Sequence, residues 1–60
     1  MSKDLQRKLY GDGEAFVNGY SVVSNKYRYE VYRGDNMVKE FGKYATGFYS
    51  LCGYLGVDYA

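Results

Sequence analysis

The sequence predicts an α+β fold: an antiparallel meander of three or four strands, with a C-terminal helix packed on one face and a short N-terminal helix. A central stretch rich in β-branched and aromatic residues contains two tight-turn dipeptides, Asn18-Gly19 and Gly34-Asp35. Near the C-terminus, apolar residues recur at the spacing of one helix face: Phe48, Leu51, Cys52 and Leu55. These signals favour a small sheet that is covered by a helix.

Sixty residues allow a single small domain. We expect it to consist of an N-terminal helix and turn (1–12), antiparallel strands (13–43) and a C-terminal helix (44–60). Few aliphatic side chains are available to form a core, since the chain has six Val, four Leu and no Ile. Nine Tyr add large rings that can be buried with the hydroxyl at the surface. We therefore expect an ordered but marginal fold, unless another molecule adds burial.

The first helix is expected over residues 2–10. Ser2 is a plausible N-cap, and Asp4 lies in the first turn, beside the positive end of the helix dipole. Leu5 and Leu9 share one face at i, i+4 spacing, and Gly11 ends the helix.

Residues 14–24 are expected to form the first hairpin, because both positions of Asn18-Gly19 accept a positive φ. The flanking arms are short, so a β-bulge in one strand is the alternative interpretation.

Residues 26–42 are expected to form the second hairpin around a type II′ turn at Gly34-Asp35. The predicted pairs are Arg33 with Asn36, Tyr32 with Met37, Val31 with Val38 and Glu30 with Lys39, which gives one apolar and one opposite-charge pair. This register places Tyr29, Val31 and Val38 on one face. It places Arg28, Glu30, Tyr32, Met37, Lys39 and Phe41 on the other.

The C-terminal helix is expected over residues 46–56, with Thr46 as its cap and Gly56 as its stop. A strand over 48–52 is the alternative, since two glycines weaken the helix signal. The predicted core comprises Phe16, Val22, Tyr29, Val31, Val38, Phe48, Leu51 and Leu55.

The C-terminal segment is unusually poor in charge. Its seventeen residues from Tyr44 to Ala60 carry one charged side chain, Asp58. A surface helix normally carries charges opposite its apolar stripe, and a helix without them is usually covered on more than one side. We therefore predict a protein-contact surface here, with these residues as anchors: Tyr44, Phe48, Tyr49, Tyr54 and Tyr59. The alternative is that the rings lie flat on the domain and point their hydroxyls to water.

Catalytic and metal-binding chemistry has little support in the sequence. There is no His, and the single Cys, Cys52, falls on the apolar helix stripe, which predicts a buried thiol. One Cys excludes a disulfide within the chain, and no residue set resembles a zinc or calcium site. We expect no enzyme activity and no cofactor. No apolar run is long enough to span a membrane, and the polar start lacks the features of a signal peptide, so we expect a cytoplasmic location.

The predicted function is that of a small non-enzymatic protein-binding module, which inhibits a partner by steric or competitive occupation. The partner would be another protein or a second copy of the chain. In size, aromatic richness and lack of catalytic residues, the chain is similar in type to small phage-encoded inhibitors, such as anti-CRISPR and host-takeover proteins. No single motif carries that resemblance.

A nucleic-acid-binding module is the alternative function, because cations and rings alternate along the strand from Lys26 to Arg33. The candidate residues are Lys26, Arg28, Tyr32, Arg33 and Lys39. The net charge of +1 argues against binding nucleic acid mainly by charge. Arg33-Gly34-Asp35 also matches the integrin-recognition tripeptide, although a plain turn beside a solvated Arg is the favoured interpretation.

Overall fold

The computed structural model describes residues 2–58, apart from the side chain of Ser2. Its elements in chain order are α1 (Ser2–Gly11), β1 (Glu14–Val17), β2 (Tyr20–Ser24), β3 (Arg28–Arg33), β4 (Asn36–Gly42) and α2 (Ala45–Leu55). The four strands lie side by side in chain order, and every neighbouring pair is antiparallel. The predicted α+β meander is therefore confirmed. Within residues 2–58, neither helix combines the length and apolarity that a bilayer crossing requires.

The first hairpin is regular, and its pairs run from Val17 opposite Tyr20 to Glu14 opposite Val23. Asn18 and Gly19 have φ values of 50° and 85°, as a type I′ turn requires. The predicted turn is confirmed, and the alternative bulge is absent from this pair of strands. The Asn18 side chain also donates a hydrogen bond of 2.7 Å to the carbonyl oxygen of Leu55, which joins the turn to the end of α2.

The second hairpin keeps the predicted turn but departs from the predicted register. Gly34 has a φ of 65°, and the two pairs nearest the turn form as predicted. Beyond them, β4 contains one extra residue, Val38, so that Val31 faces Lys39. The predicted pairs of Val31 with Val38 and of Glu30 with Lys39 are wrong. A β-bulge of one residue reverses the face of every side chain that follows it.

The consequence of the bulge is that Phe41 lies on the helix-covered face, opposite Tyr29, instead of on the open face. Its ring packs 5.8 Å from the ring of Tyr54 in α2. Val38 is 43% exposed and does not belong to the core. Phe41 is partly buried there, and covering part of a Phe ring removes more apolar surface from water than covering a Val side chain, which favours the displaced register.

Both helices cover the same face of the sheet. α1 packs against β1 and β2, and α2 packs against β4. The buried side chains between these layers are those of Leu5, Leu9, Ala15, Val22, Val31, Phe48, Leu51, Cys52 and Leu55, while Tyr29 is partly buried. Most of the predicted core is therefore confirmed.

Phe16 is the second error in the predicted core, since its side chain is 72% exposed. Strand residues alternate between faces, and Ala15 pairs with Val22 on the helix side, so Phe16 pairs with Ser21 on the open side. The small Ala15 side chain allows α1 to approach β1 closely.

The boundaries of α2 differ from the prediction at one end. The helix begins at Ala45 after an extended Tyr44, so Thr46 lies inside the helix and is not its cap. Gly56 ends the helix in the left-handed conformation with a φ of 76°, as predicted. The alternative strand over 48–52 is excluded for the same segment.

Candidate functional site

Three tyrosines of the predicted contact surface project from α2 and its N-cap. Tyr44, Tyr49 and Tyr54 are 74%, 61% and 41% exposed. We call this set of three side chains the tyrosine ridge; Tyr44 precedes the helix, and Tyr49 and Tyr54, five residues apart, lie on opposite flanks of its outward side. Ser50 and Gly53 between them are also exposed, and α2 has no charged side chain. Uncharged residues therefore occupy the side of this helix that normally carries charge.

Of the other two predicted anchors, one is not on this ridge and one is not described by the structure. Phe48 is buried, and its ring packs 6.0 Å from that of Tyr29, so it joins α2 to the sheet. Helical spacing places Phe48 on the buried stripe, which the sequence pattern already indicated. Tyr59 lies outside the described residues.

A close backbone approach fixes the start of α2. A methyl group on Gly47, in the first turn, would overlap the carbonyl oxygen of Gly42 at the end of β4. The ring of Tyr44 also lies against Gly42, where a Cβ atom would clash with it. Two glycines therefore set the position of both the helix and the first ridge residue.

Tyr54 is held in place by rings from two strands. Its ring centroid lies 5.6 Å from that of Tyr20 in β2 and 5.8 Å from that of Phe41 in β4. Tilted contacts at these distances are favourable between aromatic rings. The exposed part of Tyr54 is therefore presented from a supported base.

Three cations on the helix-covered side of the sheet are each positioned over a ring that contacts α2. Arg33 lies 5.6 Å from the Tyr20 ring, Lys39 lies 5.8 Å from the Phe41 ring, and Lys43 lies 5.0 Å from the Tyr29 ring. We call Arg33, Lys39 and Lys43 the cationic collar. None of the three forms an ion pair with a carboxylate of residues 2–58. Sequence reasoning missed the collar because Lys39 reaches the helix side only through the bulge.

The opposite, open face of the sheet has a different character. One row across the four strands consists of Phe16, Ser21, Tyr32 and Met37, and the next consists of Glu14, Val23, Glu30 and Glu40. Among the open-face positions of the four strands, three glutamates are accompanied by one cation, Arg28, which lies opposite Gly42. The open face is therefore acidic, while the collar is basic.

On the open face, Arg28 forms ion pairs with Glu30 and Glu40. Arg28 donates a hydrogen bond of 2.9 Å to Glu30 and lies 3.9 Å from Glu40, and the Tyr32 hydroxyl donates to Glu30 at 3.1 Å. The hydrogen bond from Arg28, and then that from Tyr32, holds the pKa of Glu30 below its ordinary value. The hydrogen bond that Tyr32 donates to Glu30 also raises the pKa of the Tyr32 hydroxyl.

The residues predicted for nucleic-acid binding do not form one surface. Arg28 and Tyr32 lie on the open face among the glutamates, whereas Arg33 and Lys39 lie on the helix side. Lys26 lies in the turn between β2 and β3, 5.6 Å from the Tyr27 ring. The alternation of cations and rings along the sequence is therefore divided between two faces.

Cys52 is fully buried, and burial raises the pKa of its thiol. Both effects disfavour the reactive thiolate form. Within residues 2–58, no three potential metal-ligating side chains cluster together.

No protein-family model, curated protein or solved structure matches this chain.

Proposed function

We propose that this chain is a small non-enzymatic protein-binding module that acts by covering a surface of another protein with its tyrosine ridge. The observation that carries the proposal is an uncharged helix, α2, that exposes Tyr49 and Tyr54 on the two flanks of its outward side and is preceded by the exposed Tyr44. Tyrosine provides a large contact area with few rotatable bonds, and it is enriched in protein interfaces. The mechanism is steric or competitive occupation of the partner.

The support beneath the ridge favours this role. Tyr54 is braced by Tyr20 and Phe41, and the Gly42–Gly47 approach fixes the N-terminal end of α2. A rigid contact surface loses less conformational freedom on binding than a mobile one. The collar cations around the ridge would steer the approach of a partner.

The proposed setting is inhibition inside a cell, as in phage-type anti-defence or host-takeover proteins. Small size and aromatic richness support this setting, and nothing in residues 2–58 clusters as a metal centre would. The finding that the nucleic-acid candidates are split between faces favours the protein-binding proposal over its alternative.

The first experiment measures the mass of the chain in solution across a range of concentrations, which separates binding to a second copy from binding to another protein. The second captures partners from host extract and then measures their affinity for purified variants. Tyr49→Ala and Tyr54→Ala are each expected to weaken binding roughly 10- to 30-fold, as hot-spot residues do. Phe16→Ala is the matched control, because it removes an exposed aromatic ring from the opposite face. The proposal is wrong if the chain is strictly monomeric and the double variant Tyr49→Lys, Tyr54→Lys leaves binding unchanged.

A further inference from the structure

The net charge of +1 conceals an uneven distribution of charge between the two sides of the molecule. The bulge at Val38 turns Glu40 toward Glu30 on the open face and turns Lys39 toward the helix side. In a regular strand without the bulge, Lys39 would lie on the open face and Glu40 on the helix side. The fold thereby places all three glutamates on the open face, and it places Arg33, Lys39 and Lys43 on the helix side.

We infer that the tyrosine ridge takes an acidic protein surface as its partner, with carboxylates that pair with Arg33, Lys39 and Lys43. This inference rests on the proposed function and specifies the chemistry of the partner. Each collar cation already lies over a ring that contacts α2. Its position is therefore partly fixed before binding, while none has a carboxylate partner within residues 2–58. A carboxylate from the partner would supply the missing charge, and Arg33 can bind one through two hydrogen bonds.

The rings beneath the collar cations are poorly placed for stacking with bases. Bases bind single-strand-binding proteins by stacking on free ring faces. At Tyr20, Phe41 and Tyr29, a cation already lies over one ring face, and the same three rings contact rings of α2. The carboxylates of a protein partner can pair with the cations without stacking on any ring. The exposed tyrosines can contact the apolar side chains that lie between those carboxylates.

The test uses three defined probes with the full, ¹⁵N-labelled chain. Two are 15-residue amphipathic peptides with the same Leu pattern, one with Glu and one with Lys at every polar position, and the third is a 15-nucleotide oligothymidine. The Glu peptide is expected to shift the amide signals of Lys39, Lys43, Tyr49 and Tyr54. Its binding is expected to weaken as salt rises from 50 to 500 mM, because exposed ion pairs are screened.

Charge-reversal variants identify the residues responsible. The double variant Lys39→Glu, Lys43→Glu is expected to weaken binding of the Glu peptide at least tenfold, and Lys39→Gln, Lys43→Gln by a smaller factor. Lys3→Glu, on α1, lowers the net charge by two, as Lys39→Gln, Lys43→Gln does; it is the control for that variant and is expected to alter affinity less than threefold. The dispersion of the amide spectrum verifies that each variant is folded.

Several outcomes would overturn the inference. Equal or tighter binding of the Lys peptide, or failure of the Glu peptide to bind, would exclude an acidic partner. Tighter binding of oligothymidine that depends on the same cations would assign the collar to nucleic acid. If the captured partner loses affinity for Tyr49→Ala and Tyr54→Ala but not for the charge-reversal variants, the ridge retains its proposed function and the inference about acidity is wrong.

Discussion

The backbone of Gly47, in the first turn of α2, lies directly against the carbonyl group of Gly42 at the end of β4. A methyl group at position 47 has no room unless the helix moves away from the sheet. We expect Gly47→Ala to lower the free energy of unfolding by roughly 1–3 kcal/mol, as overpacking of a core does. Urea unfolding followed by circular dichroism measures the change.

Gly53 in the same helix provides the control, because a Cβ atom there meets nothing within 4 Å. Gly53→Ala is expected to raise stability by about 0.5–1 kcal/mol, through the better helix propensity of alanine. Equal effects of the two substitutions would contradict the proposed contact between Gly47 and Gly42.

The hydrogen bond from Asn18 to the carbonyl of Leu55 is expected to stabilise the packing of the first hairpin against α2. Asn18→Gly keeps the positive φ of the turn but removes the donor, and should cost about 0.5–1.5 kcal/mol. Asn18→Asp should cost more, because a carboxylate cannot donate and lies at the negative end of the helix dipole. Thermal unfolding of both variants tests this order, and a more stable Asp variant would contradict it.

Glu30 is expected to make stability depend on pH in the acid range. Its pKa is lower in the folded chain, chiefly through the hydrogen bond from Arg28. Its contribution is therefore fully present above the pKa of an unfolded glutamate, about 4.3, and is lost as the pH falls through the lower pKa of the folded state. Glu30→Gln should lower stability at pH 7 and flatten the decline below about pH 4.3.

Urea unfolding at a series of pH values measures this dependence. Glu14→Gln is the matched control, since Glu14 lies on the same face but is not a partner of Arg28. A Glu30→Gln curve parallel to that of the unmodified chain would show that the ion pair contributes nothing.

Deletion of Val38 is expected to leave the fold intact. Val38 has no partner in β3, so its removal preserves the pairs of Val31 with Lys39 and of Tyr29 with Phe41. Cross-strand nuclear Overhauser effects between these pairs measure the register. Deletion of Val23, which is paired on both sides in a regular strand, is the control and should abolish cooperative unfolding. Loss of the fold on removing Val38 would mean that the bulge is required for it.

Local signals in the sequence predicted most of the architecture. Asn18-Gly19 and Gly34 specify their turns through backbone conformation alone, and the apolar stripe of α2 is visible at helical spacing. The bulge at Val38 was not predictable in this way. It places Phe41 instead of Val38 on the helix-covered face, where Phe41 contacts Tyr54, a residue distant in the chain.

The candidate site was also predictable in part. Charge depletion indicated the exposed positions of Tyr49 and Tyr54, because helix periodicity determines the side that lies opposite the core. Phe48 had been assigned to both the core and the contact surface, and the structure buries it. The collar could not be found from sequence, since the direction of Lys39 follows from the bulge.

The irregularity in β4 also affects how chains behave when they are crowded together. β4 is an outer strand of the sheet, with unpaired backbone groups along one side. A bulge next to two charged residues, Lys39 and Glu40, interrupts the regular ladder that an incoming strand would need. Pairing between the β4 edges of two molecules, the kind of contact from which cross-β fibrils grow, is thereby disfavoured even at high concentration.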